Sequence, residues 1–467
     1  MSDADLCYRS ATDVARMLRR RETSPTELTR VVLGRIERLD PSLHSYLTVT
    51  AERALDAAKV AEAELASGRD RGLLHGVPMG LKDLIFTKGV PTTCASKILT
   101  GFVPDHDATV VERLSAAGAV VLGKLNLTEF ALSGYHPSLP IPRNPWNPGL
   151  STGGSSSGSG VATASGLCFA SLGTDTGGSI RIPSAWNGVV GLKPTYGRVS
   201  RHGVFPLAMT LDHVGPMTRT VADAAAVLDV IAGPDRRDPT SLDVEPPACT
   251  AALNGGVRGL RIGIDESFIR DHAHPDVLKA VSEALEVLRS EGARVVPVTI
   301  PEVEPILEGW FVLCAAETLV AHEATYPSRA ADYGPTFRSL LDYGASLRAR
   351  DYAKAHVNRV DFACDLQRVF GDADVIACPG AFMLAPPADA IDPHGPMTPE
   401  VAPFIRFSAP FNFSGNPTLS LPAGFASNGA PHGIQLVGPR LGEAMLCRVG
   451  HAYERATEWH LRRPPLE

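Results

Sequence analysis

The sequence of 467 residues has no apolar stretch long enough to cross a membrane and no run of basic residues. A membrane-spanning helix needs about 20 consecutive apolar residues, so we expect no membrane span. Lys and Arg number 44 against 51 Asp and Glu, and this net charge of −7 disfavours a nucleic-acid-binding surface. The first ten residues, MSDADLCYRS, lack the charged and then apolar pattern of a secretory signal. We therefore expect neither a membrane protein nor direct binding to nucleic acid.

Cysteine pairs are also missing, because the eight cysteines are scattered and none belongs to a C-x-x-C pair. Such pairs are typical of zinc sites, and dense cysteine spacing is typical of disulfide frameworks. We therefore expect no metal, no cofactor and a cytoplasmic location with free thiols. Aromatic residues are few, at 6%, whereas apolar residues reach 44% and charged residues 20%, a balance typical of globular chains.

The remaining pattern alternates helical and strand-like segments. Residues 24–40 predict a helix capped by Ser24, and residues 51–68 predict an alanine-rich helix that ends near Gly68. From residue 73 short apolar runs follow helical ones, as in ATVVERLSAAG before AVVLGKL and HPDVLKAVSEALEVLRSEG before ARVVPVTI. This alternation predicts an α/β fold with a central mixed β-sheet covered by helices on both faces.

We expect a single domain over residues 1–467. Its predicted parts are a helical N-terminal part (1–70), a central part (73–235) and a C-terminal part (259–467) that completes the sheet and the substrate pocket. Two proline-rich stretches, 233–248 and 378–403, are predicted to be surface loops rather than linkers, because the alternation continues past both.

Two clusters of glycine and serine suggest chemistry: STGGSSSGSG at 151–160 and GTDTGGSIRIP at 173–183. Gly177 and Gly178 allow backbone N–H groups to turn inward without a side chain in the way, as stabilisation of an oxyanion requires. A serine hydroxyl is a weak nucleophile near neutral pH and needs a base within hydrogen-bond reach. Histidine and lysine are the two kinds of base to consider.

With histidine as the base, Ser156 would be the nucleophile, because GSSSG (154–158) matches the G-x-S-x-G nucleophile elbow. His432 or His451 would then supply the base. Against this alternative, a loop rather than a strand precedes the motif.

With lysine as the base, the pairing must be long-range, because the S-x-x-K pattern occurs nowhere in the sequence. Lys82 lies in LLHGVPMGLKDLIF (73–86), among apolar residues whose burial would lower its pKa and favour the neutral amine. From periodicity alone, a surface lysine paired with Asp83 is the simpler interpretation.

Taken together, these motifs resemble those of the amidase signature family, the Ser-cisSer-Lys amide hydrolases. GVPMGLKD resembles the lysine motif of that family, GGSSSGSG its serine–glycine motif, and GTDTGGSIRIPSAWNGVVGLKPTYGRVSR its longest signature block. The resemblance continues through LDHVGPMTRTVADAA, PFNFSGNPTLSLPAGF and GIQLVG, so it covers most of the chain. It implies the amidase signature fold and hydrolysis of a carboxamide or related C–N bond.

The resemblance also implies the residues of the site. The nucleophile falls on Ser179, the bridging serine on Ser155, which follows a cis peptide bond in the family, and the base on Lys82. Ser155 and Ser179 are 24 residues apart, which matches the family pattern. The oxyanion hole falls on the backbone of Thr176, Gly177, Gly178 and Ser179. Neutral Lys82 would take a proton from Ser155, which takes one from Ser179 as an acyl-enzyme forms.

Two further groups of residues flank the predicted site. The resemblance gives a supporting role, through hydrogen bonds and ion pairing, to Ser156, Asp175 and Arg181. The predicted walls of the substrate pocket are Phe130, Tyr135 and Trp186, together with the segment 308–317. A buried aromatic residue is more often plain core than pocket wall, so that alternative stays open for these rings.

Three functions are open at this point. The first is a free-standing amidase acting on a small-molecule amide such as an aryl amide, amino-acid amide, carbamate or carboxylated urea. The second is the glutamine-hydrolysing component of a tRNA-dependent amidotransferase, although TFRSLLDYG (336–344) shows no match to its glutamine-binding arginine. The third is a phosphate-binding module that uses GGSSSGSG as an anion nest. Family members are often dimers, so a homodimer is also expected.

Overall fold

The computed structural model describes residues 2–390, 392–397, 399–426 and 428–466. Its strands are β1 (Tyr46–Val49), β2 (Pro78–Lys82), β3 (Val120–Leu125), β4 (Ala170–Asp175), β5 (Val190–Lys193), β6 (His213–Thr218), β7 (Arg261–Ile264), β8 (Arg294–Pro297), β9 (Val375–Pro379), β10 (Thr418–Phe425) and β11 (Pro431–Val437).

The α-helices are α1 (Asp3–Cys7), α2 (Ala11–Arg20), α3 (Pro25–Leu43), α4 (Ala51–Ala66), α5 (Thr109–Ala116), α6 (Ser157–Ala164), α7 (Arg181–Asn187), α8 (Val221–Ile231), α9 (Cys249–Ala252), α10 (Glu266–Arg270), α11 (Pro275–Ser290), α12 (Glu304–Ala321), α13 (Pro335–Ser346), α14 (Ala349–Val369), α15 (Ala409–Phe413) and α16 (Glu443–Arg455). Among the described residues no helix has both the length and the apolar character needed to cross a membrane.

The strands join in one sheet, in the order β1-β3-β2-β4-β6-β5-β10-β11-β9-β7-β8. β2 is parallel to β3 and β4, and β7 is parallel to β8 and β9, whereas the central pairs are antiparallel. The predicted α/β fold with a mixed sheet is thus confirmed. Residues 1–70 contain α1 to α4 and also contribute β1, which pairs with β3 at the sheet edge.

Local sequence signals account for several elements. α3 begins at Pro25, and the Ser24 side chain accepts a hydrogen bond from the N–H of Glu27, as the capping pattern predicts. α4 ends at Ala66, just before Gly68, whose positive φ of 86° suits glycine. The predicted helix–strand pairs are observed as α5 with β3 and α11 with β8.

The parallel pairing of β2 with β4 positions the candidate site. Because parallel strands end at the same edge of a sheet, Lys82 at the end of β2 and Asp175 at the end of β4 lie near each other. Every residue of both strands is buried. The loop that precedes α6 packs over this edge and carries the serines of the 151–160 cluster.

Candidate active site

Lys82 is fully buried, and its amine is surrounded by hydroxyl groups. Its Nζ donates to the Oγ of Ser155 at 2.6 Å and to the Oγ of Ser156 at 2.9 Å. It also reaches the Oγ1 of Thr174 at 2.8 Å. Hydroxyl oxygens can hold either the charged or the neutral amine, because each hydroxyl both accepts and donates hydrogen bonds.

Burial lowers the pKa of Lys82 to about 7, and the negative charges of Asp175 and Asp212 oppose this shift without cancelling it. The neighbouring carboxylate of Asp83 is directed elsewhere, since its Oδ1 lies 3.3 Å from the Nζ of Lys124. The alternation of side chains along an extended chain separates Lys82 from Asp83 in this way. A large share of Lys82 is therefore neutral at pH 7, as a general base must be.

The two serine segments lie side by side. Ser155 is fully buried and follows a cis peptide bond from Gly154. The N–H of Ser156 donates to the carbonyl oxygen of Ser179 at 3.2 Å. Within the described residues no hydrogen bond joins the hydroxyls of Ser155 and Ser179. The structure thus connects Lys82 directly to Ser155 and brings Ser179 next to this pair through the backbone.

Ser179 also faces a cavity. The cavity has a volume of about 720 Å³, and its wall includes Ser179, Gly177 and Gly178. Ser179 is half-buried, whereas Lys82 and Ser155 are fully buried behind the wall. Of the three residues, Ser179 is therefore the one that a molecule in the cavity meets first.

The turn that follows β4 places backbone N–H groups at the edge of this cavity. The N–H of Gly178 donates to Oδ1 of Asp175 at 2.8 Å, so this predicted oxyanion donor is already engaged. The N–H groups of Thr176, Gly177 and Ser179 donate to no protein atom in the described part of the chain. Unpartnered N–H groups next to a serine hydroxyl can stabilise the negative charge that develops on a carbonyl oxygen.

Asp175 and Arg181 hold this turn from inside the protein. They form a fully buried ion pair at 2.8 Å, and Arg181 also donates to the carbonyl oxygen of Ser408 and to the side chains of Asn412 and Gln435. Burial raises the pKa of Asp175, but the Arg181 guanidinium outweighs burial and keeps this pKa well below its usual range. The pair contacts the turn without facing the cavity, as a supporting role requires.

Two of the three predicted wall residues, Tyr135 and Trp186, line the cavity, and Phe130 does not. Phe130 is buried in an aromatic cluster, with ring centroids 4.4 Å from His322 and 5.1 Å from Phe337. The backbone at Phe130 has a positive φ of 45°, and its side chain is 1% exposed. The prediction of Phe130 as a pocket wall is therefore corrected: it is a core residue.

Two other segments contribute to the wall. The predicted segment 308–317 supplies Trp310 from α12. The proline-rich stretch 378–403, expected to be a surface loop, supplies Pro386, Pro387, Pro393, Pro396 and Met397. Proline residues indicate an irregular segment but not where that segment packs. The composition of residues 378–403 therefore could not reveal that this segment lines the cavity.

His432 and His451, the candidate bases if Ser156 were the nucleophile, lie apart from the site. His432 lies on β11, and Nδ1 of His451 on α16 lies 3.0 Å from the carbonyl oxygen of Leu253. Neither histidine is among the described residues that line the cavity. The Ser156 hydroxyl is buried, donating to the carbonyl oxygen of Thr174 at 3.1 Å. In the described part of the chain, Ser156 is therefore paired with neither His432 nor His451.

Charge is sparse on the cavity wall. Among the described lining residues, the side chains with a fixed charge are Arg143 and Asp392, and both are exposed. The rest of the described wall is rich in apolar side chains and glycine. In the same described part of the chain, no cluster of three or more His, Cys, Asp or Glu residues is arranged to hold a metal ion.

Comparison with known proteins extends this description. The family model described as Amidase matches residues 27–447. AmiD of Mycobacterium tuberculosis is 46% identical over 97% of this chain and 95% of that protein. The glutamyl-tRNA(Gln) amidotransferase A subunit of Thermosynechococcus vestitus is 40% identical over 97% of this chain and 99% of that protein. A solved bacterial aryl acylamidase of the amidase signature family aligns with a TM-score of 0.88 and 27% identity, over 97% of this chain and 98% of that structure.

Proposed function

The chain belongs to the amidase signature family and is an amide hydrolase, and we propose that Ser179 is its nucleophile and Lys82 its base. Ser155 carries the proton between them. The observation that supports this most strongly is the 2.6 Å hydrogen bond from Nζ of Lys82 to Oγ of Ser155, in a fully buried site behind the cavity-facing Ser179. The lowered pKa of Lys82, about 7, gives the base the neutral form that this role needs.

The proposed reaction has two halves. In acylation, Ser179 Oγ attacks the amide carbon and loses its proton to Ser155, which passes its own proton to Lys82. The N–H groups of Thr176, Gly177 and Ser179 stabilise the oxyanion. The proton then returns through Ser155 to the leaving nitrogen, and the C–N bond breaks. In deacylation, water repeats the attack along the same proton path and releases the carboxylic acid.

The lining of the cavity favours an uncharged substrate. A glutamine substrate carries an ammonium and a carboxylate, and burying either group without a partner is costly. Similarity to the glutamyl-tRNA(Gln) amidotransferase protein makes glutamine the second candidate substrate, yet the fixed charges on the described wall, Arg143 and Asp392, are exposed. We therefore propose a free-standing amidase for neutral amides with apolar acyl or amine groups.

A panel of substrates tests this proposal. We expect neutral aryl and alkyl amides to give kcat/KM at least about 100-fold above that of glutamine, because one unpaired buried charge is enough to reject a ligand by this factor. Release of amine or ammonia by the purified chain is the measurement. Efficient hydrolysis of glutamine, especially one stimulated by a co-purifying protein, would favour the amidotransferase alternative instead.

Alanine variants of Ser155 and Ser156 form a matched pair that tests the proposed proton path. Both hydroxyls accept a hydrogen bond from Lys82, but in our proposal only Ser155 passes a proton to and from Ser179. Ser155→Ala is expected to lower kcat on an amide by about 10²–10⁴-fold, the usual contribution of general acid–base catalysis. Ser156→Ala removes the hydrogen bonds of this hydroxyl with Lys82 and with the backbone of Thr174 but leaves the Ser155 hydroxyl in place, so it is expected to cost about 10-fold or less. Steady-state kinetics on one amide and one matched ester make the comparison.

The ester adds an internal control. Esters have better leaving groups and need less protonation from Ser155, so their loss in Ser155→Ala is expected to be smaller than the loss with the amide. Equal losses for Ser155→Ala and Ser156→Ala on both substrates would contradict the relay.

Three sequence-based expectations stay predictions at this stage. They are a single domain over residues 1–467, a homodimer and a cytoplasmic location. The shared sheet, to which the parts 1–70, 73–235 and 259–467 all contribute strands, supports the first of them.

A further inference from the structure

Trp310 contacts the turn that follows β4 from a distant part of the chain. It lies on α12, is 6% exposed and forms part of the cavity wall. Its indole Nε1 donates to the carbonyl oxygen of Thr176 at 2.8 Å. A buried indole N–H needs a hydrogen-bond partner, and for Trp310 that partner is the backbone of this turn.

The hydrogen bond determines where the next N–H group points. The peptide bond between Thr176 and Gly177 is trans, and a trans peptide is planar, with its C=O and N–H in opposite directions. Once the Thr176 carbonyl is directed at Trp310, the Gly177 N–H must point away from Trp310. That N–H donates to no protein atom in the described residues.

Other contacts hold the residues on either side of this peptide but not the peptide itself. The Thr176 hydroxyl donates to Oδ1 of Asp212 at 2.6 Å, which anchors the side chain. Gly177 packs closely against the indole, since a Cβ added there would be 2.8 Å from ring atoms of Trp310. The Ser408 hydroxyl donates to the next carbonyl oxygen, that of Gly177. Among these contacts, the Trp310 hydrogen bond alone acts on the Thr176 carbonyl.

We propose that Trp310 is a positioning residue for the oxyanion hole, which orients the Gly177 N–H toward the carbonyl oxygen of the substrate. This inference rests on the proposed function, because it assumes that Ser179 attacks a carbonyl group held at this turn. Without the indole N–H, the peptide can rotate and present its carbonyl oxygen to the developing negative charge. The cost therefore falls on the transition state rather than on substrate binding.

Trp310→Phe tests the proposal, because it removes the N–H and keeps an aromatic wall. Loss of an oxyanion donor costs about 10²–10³-fold in kcat, and a donor that is only misdirected should cost less, about 10–100-fold. We expect KM to change less than about threefold. The affinity for a trifluoromethyl ketone, which forms an oxyanion on Ser179, should fall by the same factor as kcat.

Trp146→Phe is the matched control. Trp146 is not among the described residues that line the cavity, and its Nε1 donates to the carbonyl oxygen of Asn187 at 2.8 Å, away from the turn. Loss of this N–H is expected to leave kcat, KM and ketone affinity within about twofold of the wild-type values. If Trp310→Phe folds poorly, site-specific benzothienylalanine at position 310 keeps the ring shape and removes only the N–H donor.

Two results would overturn the inference. The first is a folded variant at position 310 with wild-type kcat and ketone affinity, and the second is a loss confined to KM. Ser179→Ala measured in parallel separates this failure from failure of the proposed function. An inactive Ser179→Ala with an unaffected Trp310→Phe rejects only the positioning role, whereas an active Ser179→Ala rejects the nucleophile itself.

Discussion

Ser179→Ala is expected to lower kcat for amide hydrolysis by on the order of 10⁵–10⁶-fold, the scale seen when a serine nucleophile is removed from a hydrolase. Ser179 is the cavity-facing member of the proposed triad, and the buried Ser155 cannot replace it without leaving the Lys82 amine. The Ser179 hydroxyl makes no hydrogen bond in the described residues, so the fold should tolerate its removal. Turnover of a neutral amide, with thermal unfolding in parallel, is the measurement.

Ser290→Ala serves as the control for this variant. Ser290 is an exposed residue at the end of α11 and lies in no wall of the cavity within the described residues, so kcat should stay at the wild-type value. A Ser179→Ala protein that keeps more than a few per cent of wild-type kcat, with substrate-dependent saturation, would remove Ser179 from the mechanism and return attention to Ser156.

Substitution of Lys82 is expected to have the next largest effect. In the wild type, kcat/KM should rise tenfold per pH unit below pH about 7 and level off above it, because burial lowers the pKa of Lys82 to about 7 and only the neutral amine accepts a proton. Activity should fall toward acid pH because protonated Lys82 cannot accept a proton, and it should return when the pH is raised.

Two replacements of Lys82 distinguish the effect of its ionisation on activity from the effect of losing the side chain. Lys82→Arg keeps a cation that cannot lose its proton in this range, so we expect a loss of about 10²–10⁴-fold and no rise near pH 7. Lys82→Ala should lose the same ionisation and retain a low rate that increases with hydroxide. The pH–rate profiles of all three proteins on a non-ionising amide give the answer. An active Lys82→Arg with the wild-type profile would show that another group is the base.

Much of the fold and the centre of the site could be predicted from sequence. The helix–strand alternation indicated an α/β sheet, because hydrophobic periodicity and caps such as Ser24 are local signals. The motifs around Lys82, Ser155 and Ser179 occupy strand ends and adjoining loops that the parallel pairing of β2 and β4 brings together. The resemblance to the motifs of the amidase signature family associated them, since periodicity alone favoured a surface position for Lys82.

The walls of the cavity were harder to predict, because long-range contacts determine them. Phe130 turns into the core at a residue with positive φ, and no local pattern in NLTEFALSGYHPS indicates that turn. Trp310 meets the Thr176 carbonyl from α12, more than 100 residues later in the chain. The engagement of the Gly178 N–H by Asp175 likewise depends on the final geometry of the turn.

The site of covalent labelling tests the central claim most directly. The wild-type protein is treated with a fluorophosphonate, digested, and the modified peptide is identified by mass spectrometry. Our account predicts a single adduct on Ser179 and slower labelling in Lys82→Ala, because the base that activates the hydroxyl is missing. An adduct on Ser156 or on Ser155, with Ser179 unmodified, would contradict it.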